Sequence, residues 1–128
     1  MGQIIAKTMV YNQLKHMDLK DLLISQIEEL GSIRFSNSFG WICIYRENNL
    51  FGGIKEIDNN ILLLFLILSP TGFNNSLDDG FEKFDFGKTW SQTEITQEND
   101  IERVFAYVRN AYEFAKERRK LKKLKLKN

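Results

Sequence analysis

The sequence predicts an α+β fold: a two-layer sandwich with an antiparallel sheet of four to five strands, and an N-terminal and a long C-terminal helix packed on one face. Three observations predict it. Apolar residues recur at helical spacing near both ends of the chain, the segment from Ile33 to Ile95 is written in strand grammar, and the turns between the strands are short.

The first helix is DLKDLLISQIEELG. Asp18 is the expected cap with Asp21 three residues on, Leu19, Leu22, Leu23, Ile27 and Leu30 share one face, and Gly31 stops it. Before it, residues 1–17 read either as a short strand around Ile4, Ile5 and Val10 or as an extra turn. IRFSNS alternates at Ile33, Phe35 and Asn37, and WICIYRE is dense in β-branched and aromatic residues. FGGIKEI meets the turn Asp58-Asn59-Asn60 and returns as ILLLFLIL, a hairpin. Gly52-Gly53 inside a strand marks a bulge or a close backbone approach rather than a phosphate site. PTGFNNSLDDG reads as a loop, and FEKFDFGKTWSQTEI as one long bent strand or two short ones broken at Gly87. Asn99-Asp100-Ile101-Glu102 opens the last helix with Asn99 as its cap, and Ile101, Val104, Phe105, Val108, Tyr112 and Ala115 form its buried stripe.

The chain of 128 residues fits one domain, expected over 1–116, with 117–128 as a basic C-terminal helix extension. Hydrophobic residues make up 43% of it, enough for a core that needs no disulfide or metal. One cysteine, Cys43, forbids an intrachain disulfide and suits a reducing compartment. The N-terminal stretch lacks the basic start and apolar core of a signal peptide, and Ala6 breaks the myristoylation pattern. Ile61 to Leu68 is far shorter than the roughly 20 residues a spanning helix needs. The expectation is a cytoplasmic protein with no membrane contact.

The net charge of +1 conceals a division: eight basic residues and one acid from Lys116 onward leave ten basic and sixteen acidic residues before it. Arg118, Arg119, Lys120, Lys122, Lys123, Lys125 and Lys127 are the candidates for nucleic-acid contact through phosphate. The competing reading is a solvated helix end that favours cations, or a tail docked on an acidic body.

A strand opening at Phe39-Gly40-Trp41, a hairpin ending in a Leu-rich strand, and a Trp-containing strand before a helix running into Asn110-Ala111-Tyr112-Glu113 form a recognisable series. Over roughly Glu28 to Lys116 it resembles the C-terminal half of the bacterial domain of unknown function 5655, in which a Trp-x-His strand feeds a helix ending near Ala-Tyr-Glu. Trp90-Ser91-Gln92 has Gln where that family has His, so no role of the histidine carries over. More distantly, the layout resembles the frataxin-like, YdhG-type α+β domains. The first resemblance implies a fold and no established activity; the second implies an iron-binding role, for which Asp78, Asp79, Glu82 and Asp85 are the available oxygen ligands.

Nothing in the sequence nominates an enzyme. His16, the single histidine, precedes the first helix, no Ser-His-Asp set forms without it, and one Cys with one His is a poor zinc set. No cofactor and no metal site is expected. The expected function is non-catalytic binding of a protein partner or small ligand, with a candidate pocket between the last strand and helix at Trp90, Gln92, Arg109 and Tyr112. Ile61, Leu63, Phe65 and Ile67 face one way in their strand, and Leu62, Leu64, Leu66 and Leu68 the other, while helices cover only one face. Leu62, Leu64, Leu66 and Leu68 are assigned to the uncovered face, closed by a loop and the N-terminal segment or by another subunit. A homodimer is expected on that ground.

Overall fold

The structure, a computed structural model, describes residues 18–127, with side chains as far as Arg118. In chain order its elements are α1 (Leu19–Glu28), β1 (Ile33–Ser38), β2 (Trp41–Arg46), β3 (Asn49–Asp58), β4 (Ile61–Ile67), α2 (Pro70–Leu77), β5 (Glu82–Lys83), β6 (Trp90–Ile95) and α3 (Glu98–Lys127). The sheet is antiparallel throughout in the order β1-β2-β3-β4-β6-β5. The α+β class and the helices on one face are as the sequence predicts; the sixth strand is the two-residue β5. The expected boundary at 116 falls inside α3, which continues unbroken to Lys127.

Asp18 caps α1, accepting from the Asp21 N–H at 2.8 Å, and Leu19, Leu23 and Ile27 are buried. The segment read as a loop after β4 holds α2 instead. Ser69 caps it, accepting from the Gly72 N–H at 3.1 Å, and Pro70 occupies the first turn. Ser-Pro is a helix-start signal; the Gly and Asn residues behind it, poor helix formers, obscure it.

α3 begins at Glu98, so the expected cap Asn99 lies inside it, and the first-turn residue Asp100 reaches back to the residues before the helix. Its Oδ2 accepts from the Thr96 N–H (2.9 Å), the Thr96 hydroxyl (3.2 Å) and the Gln97 N–H (3.3 Å). Ile101, Val104, Val108, Ala111, Tyr112 and Ala115 are buried, whereas Phe105 is only half-buried.

β4 lies at the centre of the sheet, between β3 and β6. Leu62, Leu64, Leu66 and Leu68 belong to the core with Leu23, Ile27, Val104 and Val108, each at most 1% exposed. This corrects the face assigned from the sequence: these four leucines meet the helices and offer no interface. Period-two alternation separates the two faces of a strand but does not say which one the helices take. Each buried leucine contributes about 1.5–3 kcal/mol relative to exposure.

Polar ties fix the helices over this core. Arg103 donates from Nη1 to the Asp79 carbonyl (2.8 Å) and from Nη2 to Thr93 Oγ1 (3.2 Å), joining α3 to β6 and to the turn after α2. Asn110 accepts from the Ser69 N–H and donates to Ser69 Oγ, both at 3.0 Å. Tyr112 accepts from the Ser32 N–H at 3.2 Å, with the Arg46 guanidinium 3.9 Å from its ring centre.

Burial pushes the Asp100 carboxyl up, but its bonds from Thr96, the Arg103 charge and the Gln97 N–H outweigh burial and hold its pKa below the ordinary carboxylate value. A lowered pKa contributes stability that is complete above the unfolded value of about 4 and is lost as pH falls through the folded value. Asp100→Asn should therefore cost about 1 kcal/mol at neutral pH. In urea titrations across pH, its difference from the native chain should shrink as pH drops below about 4; a difference independent of pH would contradict the role of the charge.

Candidate binding site on the open sheet face

The pairing register defines the face away from the helices. Ile44 and Ser91 are buried on the helix side, Ser91 with its hydroxyl 2.8 Å from that of Ser76 in α2. Their strand neighbours Cys43 and Gln92 therefore point to the other side, and the row Ser36–Cys43–Gly53–Phe65–Gln92–Glu82 crosses all six strands on that open face. Trp41, Tyr45, Lys55, Leu63, Ile67, Trp90 and Glu94 share it by alternation.

Phe65 stands at the middle of this row, and its ring lies over Gly53. A Cβ at Gly53 would fall 2.3 Å from Phe65 Cε1, so no side chain fits there. The close approach read from Gly52-Gly53 thus has its cause in this ring. Trp90 stacks on Phe65 from the β6 side (5.2 Å, 4° between planes) and Trp41 meets it edge-on from β2 (5.1 Å, 74°). Phe84, just past β5, stacks on the same ring (5.3 Å) and touches Phe86 (4.8 Å). Phe84 also reaches within 6.0 Å of Trp41. In a flat sheet β5 and β2 would stand about 19 Å apart at ~4.8 Å per strand; the side chains of Phe84 and Trp41 lean inward across that span, and the aromatic rings converge over Phe65.

Phe65 and Ile67 are consequently each only 5% exposed. The chain's own segment 84–90 covers much of the second apolar face of β4, so its apolar run does not require a second subunit. Beside the covered centre a groove of about 400 Å³ remains, lined by Ser38, Phe39, Trp41, Cys43, Phe65, Phe84, Phe86 and Trp90. Almost all of these are apolar. Burial pushes the Cys43 thiol up, and its side chain lines the groove as part of the apolar wall.

Two rings at the groove are not covered. Phe86 is 75% exposed and Phe39 98%. Phe39-Gly40 forms the β1–β2 turn with φ of +52° and +82°, the positive pair of a type I′ turn. Glycine takes this conformation freely, whereas for a non-glycine residue it costs about 1–2 kcal/mol. Phe39 bears that cost while leaving its whole ring in water.

The sequence-predicted pocket does not assemble. Trp90 and Gln92 lie on the open face, Tyr112 is buried on the helix side against Phe51, and Arg109 is exposed over Phe105 at 5.2 Å. The sheet separates the first pair from Tyr112. Of the basic candidates, Arg118 is engaged in the fold, donating to the Leu50 carbonyl at 2.8 Å and stacking on Phe114 at 5.3 Å. Arg119, Lys120, Lys122, Lys123, Lys125 and Lys127 continue the α3 backbone, beyond the described side chains. His16 lies outside the described residues. Asp79 accepts from the Tyr107 hydroxyl at 3.0 Å, and among the described residues no three His, Cys, Asp or Glu side chains are grouped to hold a metal ion. A second, polar groove of about 690 Å³ runs beside β6, where Arg103 is already engaged by Asp79, Thr93, Glu94 and Asp100.

Sequence reasoning missed Phe39, Phe84 and Phe86 as site residues. Phe39 before Gly40, where Asn or Asp is usual in a type I′ turn, was the available signal. No protein-family model matches the chain, and no curated protein matches it. Among the described residues no helix is long and apolar enough to cross a membrane.

Gly53→Ala should destabilise the fold by about 1–3 kcal/mol in urea unfolding through overpacking against Phe65, with a change in tryptophan emission because both tryptophans touch that ring. Wild-type stability with unchanged emission would show that the ring is not seated on Gly53.

Proposed function

We propose that this chain is a non-catalytic binding module whose working surface is the open sheet face, with the aromatic groove receiving a ring-sized apolar side chain of a protein partner. The observation that carries the reading is Phe39, a fully exposed ring in a left-handed turn at the mouth of an apolar groove. A site for a polar metabolite would offer convergent hydrogen-bonding groups; this one offers ring faces and a thiol. The larger polar groove beside β6 is less suited to the role, because Arg103 in it is already tied to Asp79, Thr93 and Asp100. Aromatic rings at the centre of a contact are also the groups that dominate binding energy between proteins. The resemblance to the domain of unknown function 5655 implies no activity and leaves this reading unchanged.

The groove contains its own reporters. Trp41 and Trp90 are the two tryptophans of the chain and Cys43 its one cysteine, and all three line the groove. An anilinonaphthalene sulfonate dye, as an apolar ring probe, should quench tryptophan emission on binding and slow maleimide labelling of Cys43 with the same concentration dependence. Phe39→Ser combined with Phe86→Ser should raise the dye Kd by roughly tenfold or more, the value of losing most of a buried ring. Both rings are exposed, so the variant should keep the native stability. A Kd unchanged by the double substitution, or labelling of Cys43 indifferent to the dye, would remove the groove as the binding surface.

A further inference from the structure

The open face carries charge as well as rings, and the charge is divided by strand. Arg34 on β1 and Lys55 on β3 lie on one half; Glu82 on β5 and Glu94 on β6 lie on the other. Arg34 rests over the Tyr45 ring at 4.2 Å and Lys55 over the Trp41 ring at 5.7 Å, so both extend across the face. None of the four forms an ion pair with another described residue. We infer that the partner of this face is a second copy of the chain, related by a two-fold axis that runs along the strands between β3 and β4. The inference rests on the open face being the binding surface.

The axis follows from the order of strands. Rotation about a line parallel to the strands lays β1 of one copy over β5 of the other, and β3 over β4. Ser36 then comes over Glu82, with Arg34 two residues along β1 from it, and Lys55, opposite Leu63 in the register, comes beside Glu94 in the same row. Symmetry makes each pairing occur twice. An axis across the strands would instead lay each strand on itself, bringing the basic half onto the basic half and the acidic half onto the acidic half, a repulsive arrangement. The rings fit the same requirement. An isologous contact needs projections and a recess on one surface, and the exposed Phe39 and Phe86 project beside the recess over Phe65. The product is a four-layer particle with helices outside and two sheets facing each other.

Sedimentation velocity of the full chain over a range of concentration, at low and high salt, tests this. The native chain should be a dimer whose Kd rises with salt, because its charge pairs are screened. Lys55→Glu and Glu94→Lys should each raise the dimer Kd by roughly tenfold or more through like charges that symmetry doubles. Lys55→Glu with Glu94→Lys should return it to within about threefold of native. Arg34→Glu with Glu82→Arg, at exposed positions, tests the opposition of the basic and acidic halves where folding is not at risk. A chain that stays monomeric at every concentration overturns the dimer, and dye binding to that monomer would show that the groove itself still stands. A dimer indifferent to both single reversals, or one that the swaps do not restore, overturns this geometry. Absence of dye binding to dilute monomer would overturn the groove and the dimer together.

Discussion

Phe65 sits in the middle of β4 with its ring pressed onto the backbone of Gly53, and this contact decides what each face of the sheet can do. β4 alternates no polar residues between its apolar ones, so both sides of the central strand must be removed from water. On one side helices supply the cover, with Leu64 and Leu66 fully buried in the main core. On the other none of the described helices lies, and the described cover is built from rings. A ring can lie flat over Gly53 only because that position has no side chain, and Trp41, Phe84 and Trp90 then converge on it. The convergence of rings on the open face and the groove beside Phe65 both derive from that arrangement.

The two sides differ in kind as well as in composition. Under the helices, polar groups are matched to partners: Asn110 to Ser69, Arg103 to Asp79 and Thr93, Tyr112 to Ser32. Such bonds contribute about 1 kcal/mol each, and breaking one partner costs more than the bond supplies. That side is committed to holding the fold. The open face is joined by ring contacts instead, each worth about 0.5–1.5 kcal/mol beyond the area it buries. It is the side on which an added apolar surface displaces no hydrogen bond.

What could be read in the sequence follows from how local each signal is. Asp18 as cap, the stripe through Val104 and Val108, and the hairpin at Asn59-Asn60 depend on residues within one turn or one strand, and they form as the pattern implies. α3 starts at Glu98, ahead of the expected cap Asn99, and Asp100 reaches back to Thr96 and Gln97, an option that the spacing around Asn99 does not exclude. The choice of which β4 face meets the helices was not local. It depends on Gly53, twelve positions earlier, being the residue that Phe65 faces across the ladder, and on Phe84 folding back from beyond the next strand but one. The pairing of Trp90 with Tyr112 failed for the same reason: adjacent elements placed them near each other in the chain, and the sheet came between them.

Phe39 supplies the last step. A turn selected for stability alone would take Asn at this position, since Asn adopts the left-handed conformation at lower cost and is content in water. Phenylalanine adds a conformational cost of about 1–2 kcal/mol and returns nothing to the monomer by burial, being 98% exposed. The positive φ does, however, set the direction of the ring: with Gly40 it closes the two-residue turn that holds Phe39 at the rim of the groove beside Trp41. A flexible loop could expose a phenyl ring as well, but it would lose its freedom on binding at a cost of about 0.5–1.5 kcal/mol for each side chain immobilised. Here the turn fixes the backbone of Phe39 in advance. The strain in the free chain is thus the same property that would let the ring enter a contact already oriented, and it favours reading the open face as a surface made to be covered.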